Sequence, residues 1–265
     1  MAKTRSILNL ASVLIVILIN YLSQAFRLNG TTIGEISSKY DNLFTPSGYA
    51  FSIWGLIFLG LLAFSIFQVK RAYSSQPKEF IAQTGYWFLL ANLLNCAWVL
   101  AFVYDHTGLS VLIMLGILVS LIKIILNTNM ERWDAPIEVI ALVWWPISLY
   151  GGWITVATIA NISAYLAKLG WEGGPLSEVT WTIIVIMIAT LINLIITWTR
   201  NMREFALVAV WAFVAIFVRH KDAMESVAYS ALAAAIVLFI SSMAHGFRNR
   251  KAGPGKKLRQ RLQKD

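Results

Sequence analysis

Eight long apolar stretches, each almost free of charge through its middle, dominate this chain. They run at roughly 6–25, 47–69, 80–103, 109–127, 137–167, 178–199, 204–219 and 223–246. About 20 mostly apolar residues in a helix cross the roughly 30 Å of bilayer hydrocarbon. Inside that layer water cannot satisfy backbone N–H and C=O groups, so a lone segment must pair them internally, as a helix does. The pattern predicts an all-α fold: a polytopic transmembrane bundle of about eight helices. The seventh stretch is the shortest and is flanked by charge, so a seven-helix bundle is the alternative. Composition agrees, since 58% of the 265 residues are hydrophobic and only 13% are charged, too apolar for a soluble domain of this size.

The net charge of +9 would suit nucleic acid if it were gathered on a folded surface. It is distributed otherwise. With eight spans, 17 of the 22 Lys and Arg fall on the side of the two termini, and only Arg27, Lys39, Lys168, Arg219 and Lys221 fall opposite. The bias of Lys and Arg toward cytoplasmic loops predicts that both termini are cytoplasmic, with the cell membrane as the expected location. A basic tail, 248–265, is expected to touch anionic lipid rather than nucleic acid. No Asp, Glu, Lys or Arg lies near the middle of a stretch, which argues against an ion-coupled pump. His106, His220 and His245 are widely separated and lack metal-ligand spacing, so no metal is expected. The single Cys96 reads as a packing residue.

Three polar and aromatic groups interrupt the apolar pattern. "NLFTPSGYAFSIWG", Asn42 to Gly55, sets Pro46 and Gly48 at the start of the second stretch and places Tyr49, Phe51 and Trp54 behind them. In the third stretch Asn92, Asn95 and Trp98 recur every three residues and share a helix face. In the fifth, Trp153, Ala157 and Asn161 share a face, with Gly151 and Gly152 beside them and Pro146 predicting a bend. An amide in hydrocarbon costs free energy unless it is hydrogen-bonded. Each face should therefore point at protein or at a cavity, and interhelical bonding and cavity lining both remain open at this point. Of the eleven tryptophans, Trp133, Trp171, Trp181 and Trp198 read as interface anchors. Trp54, Trp87, Trp98 and Trp153 read as deeper and inward-facing.

Taken together, "TPSGYAFSIW", "LLNCAW" and "YGGWITVATIAN" resemble, in order and spacing, the signatures of the TspO/MBR family, the translocator or tryptophan-rich sensory proteins. Leu94, Asn95 and Trp98 match one signature; Tyr150, Trp153, Ala157 and Asn161 match another. Where the family pattern has a Pro-Pro pair, this chain has Pro46-Ser47, and Ala160 stands where Leu is usual. The resemblance covers roughly residues 6–168 and implies a five-helix core, 1–169. Additional transmembrane helices follow at 170–247. It further implies a pocket for a flat apolar ligand, a porphyrin or haem-like tetrapyrrole or a sterol, with no cofactor required. Its expected lining is Pro46, Tyr49, Phe51, Trp54, Asn92, Asn95, Trp98, Tyr150, Trp153, Ala157 and Asn161. The function implied is that of a membrane sensor, receptor or carrier. The alternatives are a light-dependent porphyrin-degrading enzyme using Trp54 or Trp153, and a small-molecule transporter unrelated to tetrapyrroles. Ala160 and Ala164 form a small-xxx-small pair that serves either a homodimer contact or an internal one.

Overall fold

A computed structural model describes residues 1–171, 173–250, 255, 257 and 258. The basic tail lies largely outside the described residues; of its cations, Arg248, Arg250 and Lys257 are inside them. Eight long helices account for most of the chain, and the described residues contain no strand. They are α1 (Ala2–Ala25), α2 (Ile53–Ala72), α3 (Trp87–Val103), α4 (Thr107–Asn127), α5 (Trp145–Lys168), α6 (Glu178–Arg200), α7 (Arg203–His220) and α8 (Glu225–Arg248). Six spans are long and apolar enough to cross a membrane; α3, with 17 residues, and α7, charged at both ends, complete the set.

The first five helices close a ring. α1 packs on α2 and α3, α3 on α4, α4 on α5, and α5 returns to α2. The last three stack outside it: α7 lies on α5, α8 on α7, and α6 on α8 and α7.

Local sequence explains the joints. The third apolar stretch does not form one helix from residue 80. It divides into a short helix, Glu79–Thr84, and α3, because Gly85 adopts φ +59, a backbone region that favours glycine. Trp87 consequently opens α3 and is half-buried, at the helix edge rather than deep inside. The bend expected from Pro146 takes the form of a wide π-helical turn, Ile140–Trp144, immediately before it. Proline has no N–H to donate back, and a wider turn accommodates the missing bond. Gly60 of α2 gives Pro146 room, since a Cβ there would sit 3.4 Å from the proline ring.

Gly151 and Gly152 are the seat of α7. A Cβ on Gly152 would stand 2.7 Å from the Phe205 carbonyl oxygen and 3.1 Å from Val208 Cβ. The backbone of α7 thus rests directly on α5, as small residues permit at membrane helix contacts. Gly152→Ala is expected to lower stability by about 1–3 kcal/mol through overpacking. Gly55→Ala, whose added carbon meets nothing within 4 Å, should not. Thermal melting of the purified protein in detergent compares the two.

Candidate functional site

Polar side chains fasten the ring from within. Asn20 of α1 donates to Asn95 Oδ1 at 3.0 Å, and Asn95 donates to the Tyr150 hydroxyl at 3.2 Å, joining α1, α3 and α5. Asn92 donates to Ser12 Oγ at 2.9 Å, and Asn9 to Gln68 Oε1 at 2.8 Å. Asn161 accepts the Trp98 indole N–H at 2.8 Å and donates to Ser110 Oγ at 2.9 Å, tying α5 to α3 and α4. Asn92, Asn95 and Tyr150 are fully buried and line neither the cleft nor the groove described below. Asn95, Tyr150 and the Asn92 amide N–H bond between helices, while Asn92 Oδ1 is buried without a partner among the described residues.

Another subset of the sequence-selected residues meets around a narrow cleft. Pro46, Phe51 and Trp54 approach from α2 and the turn before it, Trp98 from α3, and Trp153, Ala157 and Asn161 from α5. Trp54 is central. Its ring stacks on Phe58 at 5.2 Å and lies 6.5 Å from Trp98, 6.0 Å from Tyr150 and 6.3 Å from Trp153. Phe51 meets Trp153 edge-on at 6.1 Å. Ala160 and Ala164 line the same cleft.

Tyr49 goes elsewhere. It turns out to Trp211 of α7, at 5.2 Å and edge-on. That contact belongs to a clamp on the turn before α2: the Trp211 indole donates to the Ala50 carbonyl at 3.0 Å, and the Ser47 N–H to the Ala215 carbonyl at 3.1 Å.

The indole N–H groups separate into two kinds. That of Trp98 is satisfied by Asn161. Those of Trp54 and Trp153 are buried without a hydrogen-bond partner. An unsatisfied buried donor costs about 1–3 kcal/mol, and these two flank the same narrow cleft.

The cleft measures about 40 Å³, room for water but not for a flat ring system. It adjoins a larger groove between α1 and α2, of about 490 Å³, with which it shares Ile33, Phe51 and Trp54. Asn20, Tyr21, Gln24 and Phe58 also line that groove, and Gly48 and Gly55 leave part of its wall bare. Its volume lies in the range of small-molecule sites.

A short helix, Ile33–Lys39, forms a lid over both spaces: Ile33 lines each of them and Ser37 the cleft. A capping box starts it, with Thr32 and Glu35 exchanging side-chain-to-backbone bonds. Asp105, in the turn between α3 and α4, latches it. Its carboxylate accepts Lys39 Nζ at 2.7 Å, the Tyr40 hydroxyl at 2.7 Å and Lys168 Nζ at 2.9 Å. Desolvation alone would raise the Asp105 pKa, but these donors outweigh it and hold the carboxyl well below the usual carboxylate range. Stability from a depressed carboxylate is complete above its unfolded pKa and fades as pH falls toward the folded value. The latch should therefore hold without change from neutral pH down to about 4. Asp105→Asn should open it at neutral pH, and hydrogen exchange across residues 31–40 should rise several-fold.

The lid, Asn20 and the Trp211 clamp escaped the sequence reading. Thr32-x-x-Glu35 was the available signal for the lid. Asn9, Ser12 and Asn20 on one face of α1 were the signal for its inward stripe. No local pattern announces Trp211.

An all-helical bundle of membrane-spanning length, with an aromatic cleft in a five-helix ring, defines a polytopic integral membrane protein. Comparison with family profiles specifies it: the TSPO-like protein family matches residues 6–244, and the chain belongs to that family. The match continues through α6, α7 and nearly all of α8 and does not stop at the fifth helix. Searches of curated proteins and of solved structures returned no match.

Proposed function

We propose that the protein binds a flat apolar ligand bearing acceptor oxygens, such as a porphyrin or another tetrapyrrole, and acts as a membrane sensor, receptor or carrier. The observation that carries this reading is a pair of buried indole N–H groups left without partners among the described residues: that of Trp54, which lines the groove of about 490 Å³, and that of Trp153, in the cleft that adjoins it. In this reading the ring system lies between α1 and α2, against Trp54, Phe51 and Phe58. One polar edge reaches the two N–H donors. Contacts of a π-system with aromatic faces contribute about 0.5–1.5 kcal/mol each beyond burial. The groove opens on the outside of the ring, where Tyr21 and Gln24 are exposed, which would suit a ligand that partitions into the bilayer. The distribution of Lys and Arg supports cytoplasmic termini, so the lid would face away from the cytoplasm.

Titration with protoporphyrin, read by tryptophan quenching, tests the placement. Trp153→Phe keeps the ring and removes the donor, and should weaken binding up to about tenfold. Gly55→Leu adds bulk where a Cβ meets nothing within 4 Å, so it should abolish quenching while the melting temperature holds. Undiminished quenching in Gly55→Leu would overturn the groove. Loss of porphyrin absorbance only under light would reassign the site to catalysis.

A further inference from the structure

A separate cavity of about 340 Å³ lies at the other end of the bundle, on the face that carries both termini. Three parts of the chain that are distant in sequence build it. The α4–α5 connection brings Glu131, Arg132 and Trp133; the start of α7 brings Arg203; the end of α8 brings His245. A hydrogen-bonded seam holds the wall together. Asn201, in the left-handed conformation between α6 and α7, donates to the Glu131 carbonyl at 2.8 Å. Its Oδ1 lies 3.1 Å from His245 Nε2.

Arg203 is the unusual element. Its side chain is 23% exposed, and among the described residues its only ion pair is the neighbouring Glu204 at 4.0 Å and its Nε is buried without a partner. It is held in place by packing: a Cβ on Gly246 of α8 would stand 2.8 Å from its Nη1. The cavity therefore carries a fixed guanidinium that no carboxylate of the described residues engages closely. The other acidic wall residue of the connection, Asp134, is already occupied by Lys257. Trp133 and Trp144 line the same space, edge-to-face at 5.5 Å.

We propose that this cavity binds a phosphate oxyanion, presented by an anionic phospholipid headgroup or by a free phosphoanion. A guanidinium offers a planar fork of donors that matches phosphate. The tryptophans favour the lipid source, because indoles sit at headgroup level, and basic pockets between spans take anionic headgroups. The site is remote from the lidded groove and rests on none of its residues.

Glu131 gates it electrostatically. Burial, and then the Glu204 charge, push its carboxyl up to about 8, against the opposing pull of Arg203 and Lys257. Below that value it is neutral and leaves the cationic wall uncompensated. Above it, a carboxylate appears inside the cavity and repels the ligand. Arg132 and Asp134 on its own connection, Arg203 and Glu204 on α7, His245 on α8, and Lys257 are the charged or titratable groups around it.

Protein reconstituted in vesicles of equal phosphatidylglycerol and phosphatidylcholine, then extracted and weighed by native mass spectrometry, tests the site. We expect phosphatidylglycerol to be retained about threefold or more over phosphatidylcholine at pH 7, and the preference to fall as pH rises through 8. Glu131→Gln should abolish that fall. Arg203→Gln should erase the preference, and Arg132→Gln, at an exposed position, should reduce it without threatening the fold. A parallel arm adds inorganic phosphate, against chloride at equal ionic strength, to protein in phosphatidylcholine alone. Thermal stabilisation there without lipid preference assigns the site to a free phosphoanion. Absence of both effects in the wild type, or an unchanged preference in both arginine variants, overturns the proposal.

Discussion

The bundle depends on one rule of its solvent: a carboxamide in hydrocarbon has no water to bond, so it must find protein. Five asparagines of the first five helices obey it by reaching across. Asn20 to Asn95 to Tyr150 threads α1, α3 and α5; Asn161 gathers Trp98 and Ser110; Asn92 and Asn9 tie α1 to α3 and α2. Apolar side chains pack no more favourably against one another than against lipid tails, so shape alone specifies neighbours weakly. The amides specify them by position. They also account for the narrow centre of the ring, where the rings of Trp54, Trp98 and Trp153 crowd together and leave the larger space at the side, between α1 and α2.

The last three helices are not an appendage. α7 rests on the bare backbone of Gly151 and Gly152, and from there it reaches back to hold the turn that leads into α2. Glu178 at the start of α6 accepts the Leu43 N–H at 3.3 Å, and Arg219 pairs with Asp41 at 2.7 Å. The loop that frames the groove is thus supported from outside the five-helix ring. A family match that runs to residue 244 is consistent with this mutual dependence.

Much of the architecture was legible because hydrocarbon imposes a coarse and strict code. Eight apolar stretches gave eight helices, including the short seventh, which is buried between neighbours and so tolerates charged ends. The break at Gly85 was not legible, since apolar content continues across it and only a backbone angle marks it. The grouping of side chains around the candidate cleft was legible in part. Pro46, Phe51, Trp54, Trp98, Trp153, Ala157 and Asn161 lie together, because their spacing along α2, α3 and α5 fixes their faces. Spacing cannot say whether an amide on such a face meets a cavity or another helix. For Asn92 and Asn95 that was decided by partners on α1, whose polar residues looked incidental in isolation, and for Tyr150 by Asn95 on α3. Tyr49 was diverted by Trp211, more than 150 positions away, a pairing that no local pattern contains.

The wide turn at Ile140–Trp144 sits near the start of one continuous rod, Ile137–Lys168, that lines spaces at two ends of the molecule. A wide turn holds an extra residue, and each residue advances the side chains by about 100° around the axis. The faces before and after it are therefore out of phase. Trp144 and Trp145, at the close of the turn, line the chamber beside the termini, while Trp153 and Ala157, two turns and more further along the regular helix, line the aromatic cleft. Regular helix alone sets Trp145 and Trp153 about 80° apart, so the wide turn acts on what precedes it: ironing it out would swing Ile137–Val139 and the connection that carries Glu131 around the axis of α5, and with them the wall of the chamber.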